Sequence, residues 1–143
     1  MIKKKVLFVH QNFPGQFKSI APFLAFTKKY DVHTLAWKKS LKEEDYLNSM
    51  KGLTHHQYEI RSGSSKNIHP LAIEFETKMI RADTVALKCY ELKNTGFNPD
   101  LIIDHPGWGE TLFIKEVWPD AKLLSFFDYY LKMQSMLTFD MPI

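Results

Sequence analysis

Four short apolar runs constrain this chain more than any other feature of it. They are Lys5–His10 (KVLFVH), Asp31–Trp37 (DVHTLAW), Asp100–Asp104 (DLIID) and Ala121–Phe127 (AKLLSFF), and none keeps a strict apolar–polar alternation. A strand with one wet face alternates with period two, so runs of this kind predict strands covered on both faces, as in parallel sheets. His55–Ile60 is a weaker fifth candidate.

The segments between these runs read as helices. From Phe17, the residues Ile20, Ala21 and Leu24 recur at helical spacing, and Lys28–Lys29 falls where a last turn would favour cations. Pro22 requires either a start capped by Ser19 or a kink. The most regular pattern runs from Pro70 to about Thr95, where Leu71, Phe75, Met79, Ala82, Ala86 and Cys89 step by three or four before Gly96 and Pro99. A further helix is expected over Glu110–Trp118, ended by Pro119, and Arg61–Asn67 (RSGSSKN) has the composition of a loop. The resulting order, β-α-β-β-α-β-α-β, predicts one α/β domain over residues 1–143, Rossmann-like, with a mostly parallel sheet and helices on both faces.

Composition removes several function classes. A formal net charge of +3, from 19 basic against 16 acidic residues, is too mild for a nucleic-acid partner. The lone Cys89 excludes an internal disulfide framework and reads as core. Val6–Val9 is too short an apolar run for a signal peptide, and no stretch nears the roughly 18 apolar residues of a membrane span. The expected location is cytoplasmic, with peripheral contact to the inner membrane allowed. The chain lacks G-x-G-x-x-G, Walker A and G-x-S-x-G motifs, which lowers dinucleotide oxidoreductases, P-loop nucleotidases and α/β-hydrolases.

In a doubly wound sheet, ligands bind at the carboxyl ends of the strands where the winding reverses. Two segments should end there: His10, Gln11, Asn12, Phe13, Pro14, Gly15 and Gln16 after the first strand, and His105, Pro106, Gly107, Trp108, Gly109 and Glu110 after DLIID. Each carries a histidine at the strand end and a proline and glycine that fix the backbone, and each is expected to open onto a helix N-terminus. His10 and His105 read either as satisfied strand-end side chains or as donors and proton-transfer groups toward a ligand. Trp108 can pack beneath its loop or offer an apolar platform to a sugar ring, and Glu110 can favour a helix dipole or accept from a ligand hydroxyl. Asp104 and Asp128 end neighbouring strands, but side-by-side His and Asp lack a ligand spacing, so no metal is expected. His55 and His56 point to opposite faces of one strand, which disfavours joint chelation.

The opening KVLFVHQNFPGQF, followed by Ala21–Pro22, and the stretch PDLIIDHPGWGETLFIKE (Pro99–Glu116) resemble the N-terminal domain of a bacterial subgroup of family 4 glycosyltransferases. The similarity spans nearly the whole chain, and HPGWGE is its more specific motif. It implies the N-terminal half of a GT-B architecture, in which this domain binds a sugar or glycolipid acceptor and a C-terminal domain binds the nucleotide-sugar co-substrate. It further implies retention of anomeric configuration, no permanently bound cofactor, no required metal, and a place in carbohydrate biosynthesis. On the resemblance, His10–Gln16 approach the acceptor and donor phosphates, and His105–Glu110 contact acceptor hydroxyls. Relatives carry a catalytic-site histidine after the next strand, where this chain has Asp128, Tyr129 and Tyr130; His105 and Asp128 are the catalytic candidates.

The donor-binding half would come from a C-terminal domain or a separate subunit, since the sequence reaches Ile143 without one; the chain alone is expected to be inactive. Exposed apolar residues near Phe126–Phe139 would favour a homodimer. Two other readings stay open: a stand-alone flavodoxin-like binding module, and a small hydrolase or metal-dependent enzyme using His10, His105 and Asp104.

Overall fold

A computed structural model of the chain describes residues 2–38 and 51–127. Five strands, β1 (Lys4–Val9), β2 (Tyr30–Trp37), β3 (Leu53–Tyr58), β4 (Leu101–Asp104) and β5 (Lys122–Ser125), form one sheet in the order β3-β2-β1-β4-β5. Every adjacent pair is parallel, with Val9 opposite Leu35 on one side and Asp104 on the other. This is the Rossmann order, with β1 and β4 at the switch point; a flavodoxin-like sheet would run 2-1-3-4-5. The flavodoxin-like alternative is therefore set aside.

The central strand is buried on both faces because helices cover both. Leu7, Val9, Leu35 and Ile102 pack with Val85 and Cys89 of α2 (Ile73–Asn94) and with Ile114 and Val117 of α3 (Ile114–Val117). Val6, Phe8, Val32 and Ile103 pack on the opposite face with Phe13, Phe17 and Ala21, the last from α1 (Ile20–Phe26). Cys89 is fully buried, and burial pushes its thiol up to about 12, so it stays an inert core group. No helix among the described residues is long and apolar enough to cross a membrane.

Several boundaries differ from the sequence reading. Pro22 is the third residue of α1, where its missing N–H costs nothing, but the helix ends at Phe26, so Lys28–Lys29 lie beyond it and do not cap its dipole. β3 begins two residues earlier than expected. Leu71 and Phe75 are exposed at the start of the long helix, because its core face begins with Arg81, Ala82 and Val85. The helix expected over Glu110–Trp118 shrinks to Ile114–Val117, since Gly109 sits at φ +93° and Glu110 turns inward. Among the described residues β5 pairs only with β4, which leaves Leu123 and Leu124 exposed on a strand expected to be buried.

The two adjacent histidines of β3 do face opposite ways. His55 Nδ1 lies 2.7 Å from Thr34 Oγ1, whereas His56 stacks on His33, with Nε2 2.8 Å from His33 Nδ1 and Phe97 beneath both rings. Burial, and then the neighbouring His33, Lys88 and His55, push His56 down to about 4 from 6.5. Asp31 Oδ2 lies 3.1 Å from His33 Nε2 on the far side of the pair. The unfolded chain thus accepts a proton that the folded one refuses, so this contribution to stability is present above pH 6.5 and is lost as pH falls toward 4. Discounted for partial exposure, the loss is on the order of 1–2 kcal/mol. His56→Gln should flatten the decline of Tm between these pH values; a decline as steep as the wild type's would contradict this assignment.

Candidate functional site

The side-by-side placement of β1 and β4 brings the two singled-out loops to one rim. The His105 N–H donates to the Val9 carbonyl at 3.2 Å, and the His10 and His105 ring centroids are 5.1 Å apart. His10, Asn12, Gln16, His105, Trp108, Phe126 and their neighbours line a crevice of about 530 Å³. Trp108, Phe126 and Phe127 are exposed there, giving the imidazole pair an aromatic border.

His10 is bonded within its own loop. The Asn12 N–H donates to His10 Nδ1 at 3.0 Å, and Nε2 lies 2.6 Å from Gln16 Oε1. That pairing assigns the proton to Nε2, which donates to the glutamine oxygen, so the ring is neutral with both nitrogens engaged. Gly15, at φ +45°, lies directly over the ring: a Cβ there would come within 2.4 Å of Cε1 and Nε2. The loop is also tied to β2, with His10 N–H donating to the Leu35 carbonyl and Trp37 N–H to the Gln11 carbonyl. Phe13 is buried against Phe8 and His55 rather than facing the crevice. The first loop is thus a fixed wall that presents Asn12 and Gln16, with His10 as its internal strut.

The second loop divides. Pro106, Gly107 and Trp108 form a single 3-10 turn on the crevice side, while Gly109 and Glu110 face the helix layer. A Cβ on Gly109 would meet the Lys78 carbonyl oxygen at 2.8 Å, so α2 presses directly on this residue. Glu110 is buried, accepts from the Tyr58 hydroxyl at 3.2 Å, and is held above the usual carboxylate range by that burial. It therefore does not meet a ligand from the crevice. Asp104 points to the face opposite the two imidazoles, as its alternation with Ile103 requires, and accepts from the Thr111 hydroxyl. His10, His105 and Asp104 consequently do not converge, and no group of three His, Cys, Asp or Glu side chains is arranged to hold a metal among the described residues. Asp128 lies outside the described residues.

Neither loop leads directly into a long helix. A 3-10 turn, Gly15–Phe17, separates the first from α1, and α3 is a single turn, so the helix-terminus anion sites expected beyond the loops are not formed. Two contributors were not assigned to the crevice from sequence, although Phe126 was expected to be exposed. Phe126 follows β5 on the same rim, which its place at the end of AKLLSFF signals. Arg81 lies four residues before buried Val85, a lone cation on the core face of α2.

Five parallel strands in this order, with a crevice at the switch point, define an α/β domain of the Rossmann-like class by architecture. Sequence comparison narrows this: the profile of the glycosyl transferase family 4 group matches residues 31–142, and the chain belongs to that family. No curated protein matches the chain. Among solved structures, the C-terminal domain of a hydrogenase from Pyrococcus furiosus is similar, with 18% identity, TM-score 0.54, and 90% of this chain and 95% of that one covered. Acinetobacter baumannii MurG matches with 16% identity and TM-score 0.56, over 87% of this chain and 35% of that one. The N-terminal domain of Candida albicans trehalose-6-phosphate phosphatase matches with 15% identity and TM-score 0.56, over 88% and 34%. The chain spans about a third of the length of the last two, and at these identities the likeness concerns the fold.

The contact between Gly109 and α2 is directly testable. Gly109 and Gly96 share nearly the same φ (+93° and +91°), but nothing lies within 4 Å of a Cβ built on Gly96. Gly96→Ala should cost about 1 kcal/mol of backbone strain, and Gly109→Ala about 2–3 kcal/mol, as strain and overlap add. Equal costs in urea denaturation would show that α2 does not press on the loop.

Proposed function

We propose that this chain is the acceptor-binding, N-terminal domain of a retaining nucleotide-sugar-dependent glycosyltransferase, acting in carbohydrate biosynthesis on a sugar or glycolipid acceptor. The observation that carries this reading is the meeting of HQNFPGQ and HPGWGE at the β1–β4 rim, with His10 and His105 5.1 Å apart. In such a crevice an acceptor sugar would stack on Trp108 and exchange hydrogen bonds with Asn12, Gln16 and His105, while the bordering aromatics exclude water. The donor sugar would be held by a second domain or subunit closing over the same rim, with the HQNFPGQ loop nearest its phosphates. A homodimer through the exposed Phe126–Phe127 region is the competing occupant of that face.

Transfer needs both substrates fixed in one geometry, and orientation alone accounts for several kcal/mol of such barriers. The purified chain, incubated with UDP-, GDP- and ADP-sugars and methyl glycosides, should therefore turn over none of them above the protein-free rate. Turnover near 1 per second, an ordinary enzymatic rate, would overturn the need for a second domain. Binding is expected at about millimolar Kd for the preferred methyl glycoside, near −4 kcal/mol. Trp108→Ala and His105→Ala should each weaken it roughly fivefold or more in calorimetric titration. Unchanged affinity in both variants would remove the crevice as the acceptor site.

A further inference from the structure

Arg81 is one of the few charged side chains buried in the domain, at 7% exposure, and it stands outside both crevice loops. A buried guanidinium persists only where other groups compensate its lost hydration. Its Nη1–H donates to the Trp108 carbonyl at 3.1 Å, and its guanidinium carbon lies 5.9 Å from each of the Trp108 and Trp37 ring centroids. Glu110, itself 1% exposed and bonded to Tyr58, is the carboxyl group nearby; burial pushes it up, and the Arg81 charge partly offsets that push. One side chain from α2 thus gathers groups from β2, β3 and the second loop. Three residues earlier on the same helix, Lys78 abuts Gly109.

We propose that Arg81 is the positioning residue of the crevice: by holding the Trp108 carbonyl while its guanidinium stands within cation–π range of both indoles, it sets where Trp108 stands as the crevice wall. This rests on the reading of the crevice as the acceptor site. Arginine suits the task because a planar guanidinium can stack on aromatic faces and donate in its own plane at once. A lysine ammonium keeps the charge but cannot do both. Nothing in this role requires Arg81 to touch substrate.

The test uses the whole chain labelled with 5-fluorotryptophan, whose three fluorine resonances, from Trp37, Trp108 and Trp118, are assigned with Trp108→Phe and Trp37→Phe. Trp118, packed edge-to-face on Phe97, reports on the fold at large. Arg81→Lys and Arg81→Met should shift and broaden the Trp37 and Trp108 signals, leave Trp118 in place, and weaken methyl glycoside binding about five- to tenfold. Arg81→Lys, which keeps a cation beside Glu110, carries the test if Arg81→Met does not fold. Trp37 and Trp108 signals unmoved in a folded variant would overturn the proposal. So would all three moving together, as a general loosening of the core would produce. If Trp37 and Trp108 respond but the wild-type chain binds no methyl glycoside, the positioning role stands and the acceptor-site reading fails instead.

Discussion

The structure depends on β1 and β4 lying side by side and parallel where the winding of the sheet reverses. Their register sets Val9 opposite Asp104, and one further backbone bond, from the His105 N–H to the Val9 carbonyl, fixes how the second loop leaves the sheet beside the first. Because successive parallel strands near this point connect to helices on opposite faces, the loops diverge from the rim and a gap opens between them. The crevice follows from topology before any side chain is considered.

Side chains then divide between building the crevice and facing it. His10 spends both ring nitrogens inside its own loop, and Glu110 is committed to Tyr58 beneath the second, so both are struts. What lines the crevice is amide, imidazole and aromatic surface: exposed Asn12, Gln16, Trp108 and Phe126, together with the buried ring of His105. Such a surface suits an uncharged, hydroxyl-bearing ligand better than a bare phosphate, because no helix of two turns or more begins at either loop to offer its N–H groups. This agrees with the proposed division of labour, in which the donor phosphates are held chiefly by another domain.

Much of this was legible in the sequence. The unbroken apolar runs foretold parallel strands covered on both faces, and the matched His-Pro-Gly loops after the first and fourth strands foretold their meeting, because strand ends in one parallel sheet share a rim. What sequence could not supply was the direction of individual side chains. Glu110 reads as a polar residue at a helix start, yet a left-handed Gly109 turns the chain and sends it inward. His10 reads either as a satisfied strand-end side chain or as a ligand group, and sequence could not show that the glycine resembling ligand clearance lies against its ring. Arg81 hides inside a helical stripe, since periodicity weighs hydrophobicity and passes over a cation compensated by residues far away in the chain.

One wall, made jointly by HQNFPGQ and HPGWGE, is the surface proposed to receive the ligand. Its most direct test is a residue-by-residue map of amide shifts as the isotopically labelled chain is titrated with methyl glycosides. The amides of Asn12, Gly15, Gln16, His105, Gly107 and Trp108 should move together along one saturating curve. Shifts confined to the outer rim near Gln57, Arg61 and Lys88, or to only one of the two loops, would contradict it.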